Sequence, residues 1–259
     1  MRTRCLTLLF AGLLLCPTLP ANAELTQAGK LIVGFDGGLS PTKLPRTDPA
    51  PVSVRVAGDV RHASGDPDRL PQLRRISVGI NRAGRLFDKG MPSCEVGKIQ
   101  PATEAEAQAR CARSIVGSGN VELQVRLPNQ EPFMVRATLL AFNGPQHGGQ
   151  KTILAQVYAE DPPGAFVLTF KVKRRGGVFG TVLSTTLPKS AQQWAYLTHF
   201  EMTLHRIYRY RGERHSYISA ACAAPAGFPG AVFPFAKATY GFDNGQKLTT
   251  TAFRSCRVR

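Results

Sequence analysis

Acidic residues are scarce in this sequence. Its 17 Asp and Glu residues stand against 33 Lys and Arg residues, so the formal net charge is +16 at pH 7. A strongly basic protein attracts anionic partners, such as lipid headgroups or acidic envelope polymers. The cations are scattered rather than gathered in one block, so the charge alone also fits a surface that is merely well solvated.

Several motifs that would indicate a defined chemistry are missing. The sequence has no C-x-x-C zinc pattern, no G-x-S-x-G nucleophile turn, no glycine-rich phosphate loop and no Asp-rich calcium loop. It therefore predicts no cofactor and no catalytic residue. Beyond the N-terminal region, no stretch is apolar for long enough to span a bilayer.

The first 23 residues have the pattern of a cleaved secretory signal peptide. Arg2 and Arg4 precede an apolar run that ends near Leu15, and a small-x-small site at 21–23 places cleavage before Glu24. A membrane anchor is disfavoured because the run is shorter than the roughly 20 residues that a spanning helix needs. The chain is thus expected to be secreted or held in the cell envelope, with a mature charge of +14 once the two arginines leave. Nucleic acid is disfavoured as a partner in that compartment.

Four cysteines remain after this cleavage: Cys94, Cys111, Cys222 and Cys256. An even number of cysteines in an exported chain predicts disulfides, and four cysteines allow three connectivities. We favour Cys94–Cys111, which would hold a short helix against the segment before it, and Cys222–Cys256, which would tie a strand near residue 220 to the last strand.

Apolar alternation at period two predicts an all-β fold, an antiparallel β-sandwich or barrel-like fold of about ten strands. Thr103 and Glu106 form a capping-box pattern that predicts one short helix over 104–114, which Gly117 and Gly119 would end. The segment 196–210 is the longest candidate strand. Asn244-Gly245 predicts a hairpin, because this pair accepts the positive φ angles of a tight turn.

The predicted domain plan has three parts. Residues 1–23 are the signal peptide, 24–50 an irregular lead-in with a short edge strand near 30–35, and 51–259 a single β domain. Two small β lobes divided near 144–149 remain an alternative, because each half of the chain carries one expected disulfide.

Three features of the chain occur together: Cys94 with Cys111, the sequence IVGSG at 115–119, and FPFAKATYGF at 233–242 ahead of a terminal strand with Cys256. With these features the chain resembles a family of uncharacterised secreted proteins of actinobacterial type. The resemblance implies export and a disulfide-bearing fold over most of the mature chain. It implies no activity and carries no catalytic residue across.

His199, Glu201 and His205 form the strongest candidate metal site. On a strand these side chains would share one face, and imidazole and carboxylate groups suit Zn²⁺. A polar outer face is the favoured interpretation of the same pattern, because an H-x-E pair alone is a weak signal. On a helix, the two side chains would diverge.

A second candidate is a basic aromatic binding face. Flat rings and guanidinium groups can bind a glycan or an anionic polymer, although ordinary cross-strand aromatic packing explains the same residues. The candidate residues are Trp194, Tyr196, Tyr208, Tyr210, Arg206 and Arg209.

The sequence therefore predicts an exported, non-enzymatic binding or structural module that contacts anionic polymers or lipid headgroups. The alternative is a metal-dependent hydrolase that uses the His199–Glu201–His205 cluster.

Overall fold

A computed structural model describes residues 24–65, 70–188 and 194–259. The signal peptide predicted for residues 1–23 lies outside the described residues. The described elements are β1 (Glu24–Ala28), β2 (Leu31–Ser40), β3 (Lys43–Leu44), β4 (Ala50–Pro51), β5 (Ser53–His62), β6 (Leu73–Ile80), β7 (Gly84–Leu86), α1 (Val96–Ile99), α2 (Glu104–Cys111), a 3-10 turn (Ala112–Ser114), β8 (Ile115–Val125), β9 (Phe133–Asn143), β10 (Thr152–Glu160), β11 (Pro163–Arg174), β12 (Thr181–Thr186), β13 (Ala195–Leu204), β14 (Ile207–Tyr210), β15 (Glu213–Ser216), β16 (Ile218–Ala220), β17 (Gly230–Phe242) and β18 (Lys247–Val258).

Thirteen of these strands form one sheet, in the order β1-β2-β5-β13-β8-β9-β10-β11-β12-β6-β17-β18-β3. All neighbours are antiparallel except β18 and β3. The predicted all-β class is confirmed. The described residues form more strands than the roughly ten expected, and strands of only two to four residues build the three-stranded sheet β4-β16-β7 and the β14-β15 hairpin.

The large sheet curls until its two ends meet. Thr26 Oγ1 on β1 donates a hydrogen bond to the Thr249 carbonyl on β18 at 2.9 Å, and Thr250 Oγ1 donates to the Glu24 carbonyl at 3.0 Å. We call this junction of β1 and β2 with β18 the seam. Because the sheet closes here, one face of most strands points into a shared interior and the other face points outward, which is what the apolar alternation along the strands requires.

Five charged side chains reinforce the seam and extend it across neighbouring strands. Arg254 on β18 pairs with Glu24 on β1 at 2.8 Å and also with Asp36 on β2. Arg55 on β5 pairs with the same Asp36 at 2.9 Å and with Glu201 on β13 at 2.6 Å. The alternating charges connect five strands in one network.

The two helices cover the outer face of β9, β10 and β11. The capping box is confirmed, because the Glu106 N–H donates to Thr103 Oγ1 and the Thr103 N–H donates to Glu106 Oε2. Helix α2 ends at Cys111, and the last predicted residues, 112–114, form a 3-10 turn. The buried Gln156 amide on β10 donates to the Ile99 and Ala102 carbonyls and so fixes the helices on the sheet.

Both expected disulfides are confirmed. Cys94–Cys111 joins the segment before α1 to the end of α2, and Cys222–Cys256 joins the chain just after β16 to β18. All four cysteines are buried. The first bond holds the helices on the sheet, and the second holds the three-stranded sheet against one end of the large sheet.

Two expectations differ from the structure. Residues 24–50 are not an irregular lead-in, because β1 and β2 lie within this range and belong to the large sheet. The strand expected over 196–210 is interrupted at residues 205–206, where the chain leaves the large sheet to form β14. The loop 144–149 connects β9 and β10, which are direct neighbours in one sheet.

No helix in the described part of the chain combines the length and apolar character that crossing a bilayer requires.

Gly117 and Gly119 lie inside β8 and do not end the helix. A Cβ at Gly119 would lie 1.9 Å from the Glu201 carbonyl oxygen on β13, and one at Gly117 would lie 2.2 Å from the Thr203 carbonyl oxygen. Both contacts are with backbone of the neighbouring strand, so a rotamer change cannot relieve them. The glycines are needed because β8 and β13 approach closely.

We predict that Gly119→Ala lowers the free energy of unfolding by about 2–3 kcal/mol, the usual cost of an overpacked contact. Gly38→Ala on β2 is the matched control, since nothing lies within 4 Å of its added Cβ. Urea denaturation of both variants checks this. If Gly119→Ala and Gly38→Ala lowered the free energy of unfolding equally, the close approach of β8 and β13 at Gly119 would be contradicted.

Candidate functional site

The structure places the candidate metal ligands on β13 and just beyond it. His199 and Glu201 lie outside the curled sheet, while Phe200 and Met202 line its interior, as the alternation predicts. His205 is exposed after the strand ends. No group of three or more His, Cys, Asp or Glu side chains within the described ranges could hold a metal ion. The metal site stays a prediction from the sequence.

Glu201 and His199 each have a partner on β5. Arg55 donates a hydrogen bond to Glu201, which lowers the pKa of the Glu201 carboxyl below its ordinary value, and burial only partly opposes this. His199 Nδ1 lies 2.7 Å from Asp59 Oδ1. The outer face of β13 is therefore tied to β5 by two charged or polar pairs, and Glu201 belongs to the network of the seam.

A shallow groove of about 260 Å³ lies beside His199. Asp59, Glu122 and Thr198 also line it, and Glu122 pairs with Arg136 at 3.2 Å. The Thr198 hydroxyl donates to the Glu122 carbonyl at 3.0 Å. These polar groups of the groove thus have hydrogen-bond or ion-pair partners within the protein. This is consistent with the polar outer face that was the favoured interpretation of the sequence.

The candidate aromatic residues divide into two groups at opposite ends of β13. Trp194 and Tyr196 lie at its start, where the Arg126 guanidinium stacks 3.7 Å from the centre of the Tyr196 ring. Tyr208 and Tyr210 lie on β14, beyond the end of β13. At about 3.3 Å per residue, residues 196 and 204 alone are about 27 Å apart along the strand. The six residues do not form one face.

Tyr208 and Tyr210 pack into a small aromatic cluster. Phe87 stacks on His215 with ring centres 4.8 Å apart, and the two tyrosines tilt against the same imidazole. The Tyr208 hydroxyl donates to the Lys89 carbonyl at 3.0 Å, and burial raises its pKa to about 12. Cross-strand packing accounts for these rings, while Arg209 projects into solvent from the same hairpin.

Sequence reasoning missed a basic pocket of about 600 Å³ at one end of the curled sheet. Arg82, Arg85, Lys151 and Arg174 line it, and none of its lining residues is acidic. We call it the basic pocket. Its other lining residues are Gly84, Leu86, Gly149, Gln150, Val172, Gly180 and Thr181.

Local backbone contacts bring the walls of this pocket together. The Arg82 N–H donates to the Val178 carbonyl at 2.9 Å, which holds the turn after β6 against the β11-β12 loop. A Cβ at Gly180 would lie 3.0 Å from the Arg82 Cβ, so glycine permits this approach. On the opposite wall, the Val172 N–H donates to the Lys151 carbonyl at 2.9 Å.

The positive charge of the basic pocket is largely uncompensated. Lys151 forms an ion pair with Asp88, but Arg82, Arg85 and Arg174 have no carboxylate partner within the ranges that the structure describes. Guanidinium groups donate in a planar fork that matches phosphate and carboxylate oxygens. Three such groups around one concavity can hold an anion.

Comparison with known proteins finds no family model, no curated protein and no solved structure that matches this chain.

We predict that Glu201→Gln destabilises the protein at pH 7 and changes its response to acid. Because the pKa of folded Glu201 is lowered, its stabilisation is present above its ordinary pKa of about 4.3 and is lost as the pH falls below that value. The gap in urea midpoint between wild type and variant should therefore close between pH 7 and pH 3.

Glu122→Gln is the control, since its partner Arg136 is 88% exposed and such surface pairs contribute little. If the urea midpoints of the two variants changed with pH in the same way, the claim that the Arg55–Glu201 contact stabilises the fold would be contradicted.

Proposed function

We propose that this chain is an exported, non-enzymatic binding module whose basic pocket holds the phosphate or carboxylate group of an envelope polymer or lipid headgroup. The observation that carries the proposal is the convergence of Arg82, Arg85 and Arg174 on one pocket whose lining contains no acidic residue. The charge of +14 expected after removal of residues 1–23 supports it, because a basic protein concentrates anionic partners near its surface.

Two features support export. The pattern of residues 1–23 is that of a signal peptide, and the disulfides Cys94–Cys111 and Cys222–Cys256 are typical of proteins that fold in an oxidising compartment. An exported protein meets wall polymers and lipid headgroups, and many of these carry phosphate or carboxylate groups.

The pocket wall supplies hydrogen-bond donors suited to such a group. Beside the three arginines, Lys151, Gln150 and Thr181 also line the pocket, although the Lys151 ammonium is paired with Asp88. A volume of about 600 Å³ is within the usual range of ligand pockets. The pocket therefore has room for a phosphate group together with part of the molecule that carries it.

We predict that Arg174→Gln weakens the binding of inorganic phosphate about tenfold, the usual effect of losing one charge-assisted hydrogen bond. Lys173→Gln is the matched control. It removes the same charge one position away, where the side chain points to the opposite face of β11. Isothermal titration calorimetry at two salt concentrations measures both affinities.

The control should bind phosphate within about twofold of wild type, because the Lys173 charge lies on the opposite face of the strand, where salt screens it from the pocket. If both variants lost affinity equally, or if wild type bound no phosphate, the basic pocket would not be an anion site.

A further inference from the structure

The interior of the curled sheet contains an apolar cavity of about 100 Å³. Every side chain that lines it is aliphatic, aromatic or thioether, and nine strands contribute: β5, β6, β8, β9, β10, β11, β12, β13 and β17. An engineered cavity of about 150 Å³ with similar walls stays dry and binds benzene. The cavity is thus suited to apolar groups of a few carbon atoms as it stands.

Several of its lining side chains are not fully buried, although they point inward. Phe166, Leu168 and Phe170 on β11 are only partly buried, as are Phe200 and Met202 on β13. By contrast, Ile153 and Val157 on the neighbouring β10 are buried. The side chains of β11 and β13 therefore leave apolar surface without a packing partner, and such surface gains free energy when a ligand covers it.

One face of β11 connects this cavity to the basic pocket. Phe166, Leu168 and Phe170 line the cavity, and Val172 and Arg174, the next two residues on that face, line the basic pocket. Successive residues on one face of a strand are about 6.6 Å apart. The distance from the last apolar ring to the pocket is thus one step along the strand.

The paired strands β6 and β12 also connect the cavity to the basic pocket. Ile80 on β6 lines the cavity, and its partner on β12 is Thr181, which lines the basic pocket. The apolar and the cationic spaces therefore share walls on both β11 and the β6-β12 pair.

We propose that the ligand is an anionic amphiphile with a single alkyl chain, whose phosphate or carboxylate head lies in the basic pocket and whose chain enters the cavity. This inference rests on the proposed function and names the ligand class for the same site. We expect the alkyl chain to pass Leu168 and Phe170. These side chains are only partly buried, so they can change position at a lower cost than fully buried ones.

Isothermal titration calorimetry with a series of alkyl phosphates tests this, each used below the concentration at which it forms micelles. Each buried methylene should tighten binding about fourfold. Allowing for incomplete burial, we expect octyl phosphate to bind about 100-fold more tightly than butyl phosphate.

Leu168→Trp should block the chain, because the larger ring fills the space beside Ala155, the partner of Leu168 on β10. We expect the ratio of octyl to butyl phosphate affinity to fall to about tenfold or less, while inorganic phosphate binds within about twofold of wild type. Met134→Trp is the control for ring size, since Met134 is 53% exposed outside the cavity. Leu168→Gln, which keeps the volume and adds an amide, serves if the larger ring prevents folding.

The outcomes separate this inference from the proposed function. If inorganic phosphate binds and the alkyl chain adds no affinity, the cavity inference is overturned and the anion site stands. A chain-length effect that survives both Leu168 variants also overturns the inference, because the chain then binds elsewhere. If phosphate and alkyl phosphates all fail to bind, the proposed function fails as well.

Discussion

Arg254 is the contact on which the shape of this protein most depends, because it joins the two ends of a thirteen-stranded sheet. Its guanidinium group binds Glu24 and Asp36 from the opposite end and is only 19% exposed. A pair with so little solvent exposure would be costly to leave without its partner, unlike an exposed surface pair. Arg55 then continues the network to Glu201 on β13. Because the sheet closes at the seam, it encloses an interior, and the apolar cavity lies in that interior.

The apolar alternation, the capping box and both cysteine pairs were readable from the sequence because each depends on neighbours in the chain or on a small set of alternatives. The basic pocket was not readable. Arg82 and Arg85, Lys151, and Arg174 come from three separate segments, and only the tertiary fold brings them together. The side of β13 that carries His199 was predicted from alternation, but its partner Asp59 depends on which strand lies alongside.

Two predictions that rested on glycine differ from the structure for the same reason. Gly117 and Gly119 looked like the end of a helix, yet β13 packs so closely on β8 that no Cβ fits there. The hairpin at Asn244-Gly245 is present, but only the glycine has a positive φ, so the turn differs from the one expected. In both cases the sequence signal for glycine was correct, and its cause lay in tertiary or turn geometry that a single sequence does not contain.

The curled sheet offers two adjoining spaces of different chemistry, a basic pocket suited to an anion and an apolar cavity suited to an alkyl chain. The helices and the disulfide Cys94–Cys111 cover the outer face of β9, β10 and β11, whose inner faces line the cavity. The most direct test is solution NMR of the methyl-labelled protein with octyl phosphate. The account predicts intermolecular nuclear Overhauser effects from the alkyl chain to the methyls of Ile153, Val157 and Leu168. Effects confined to exposed methyls, such as those of Leu25 or Val232, would contradict it.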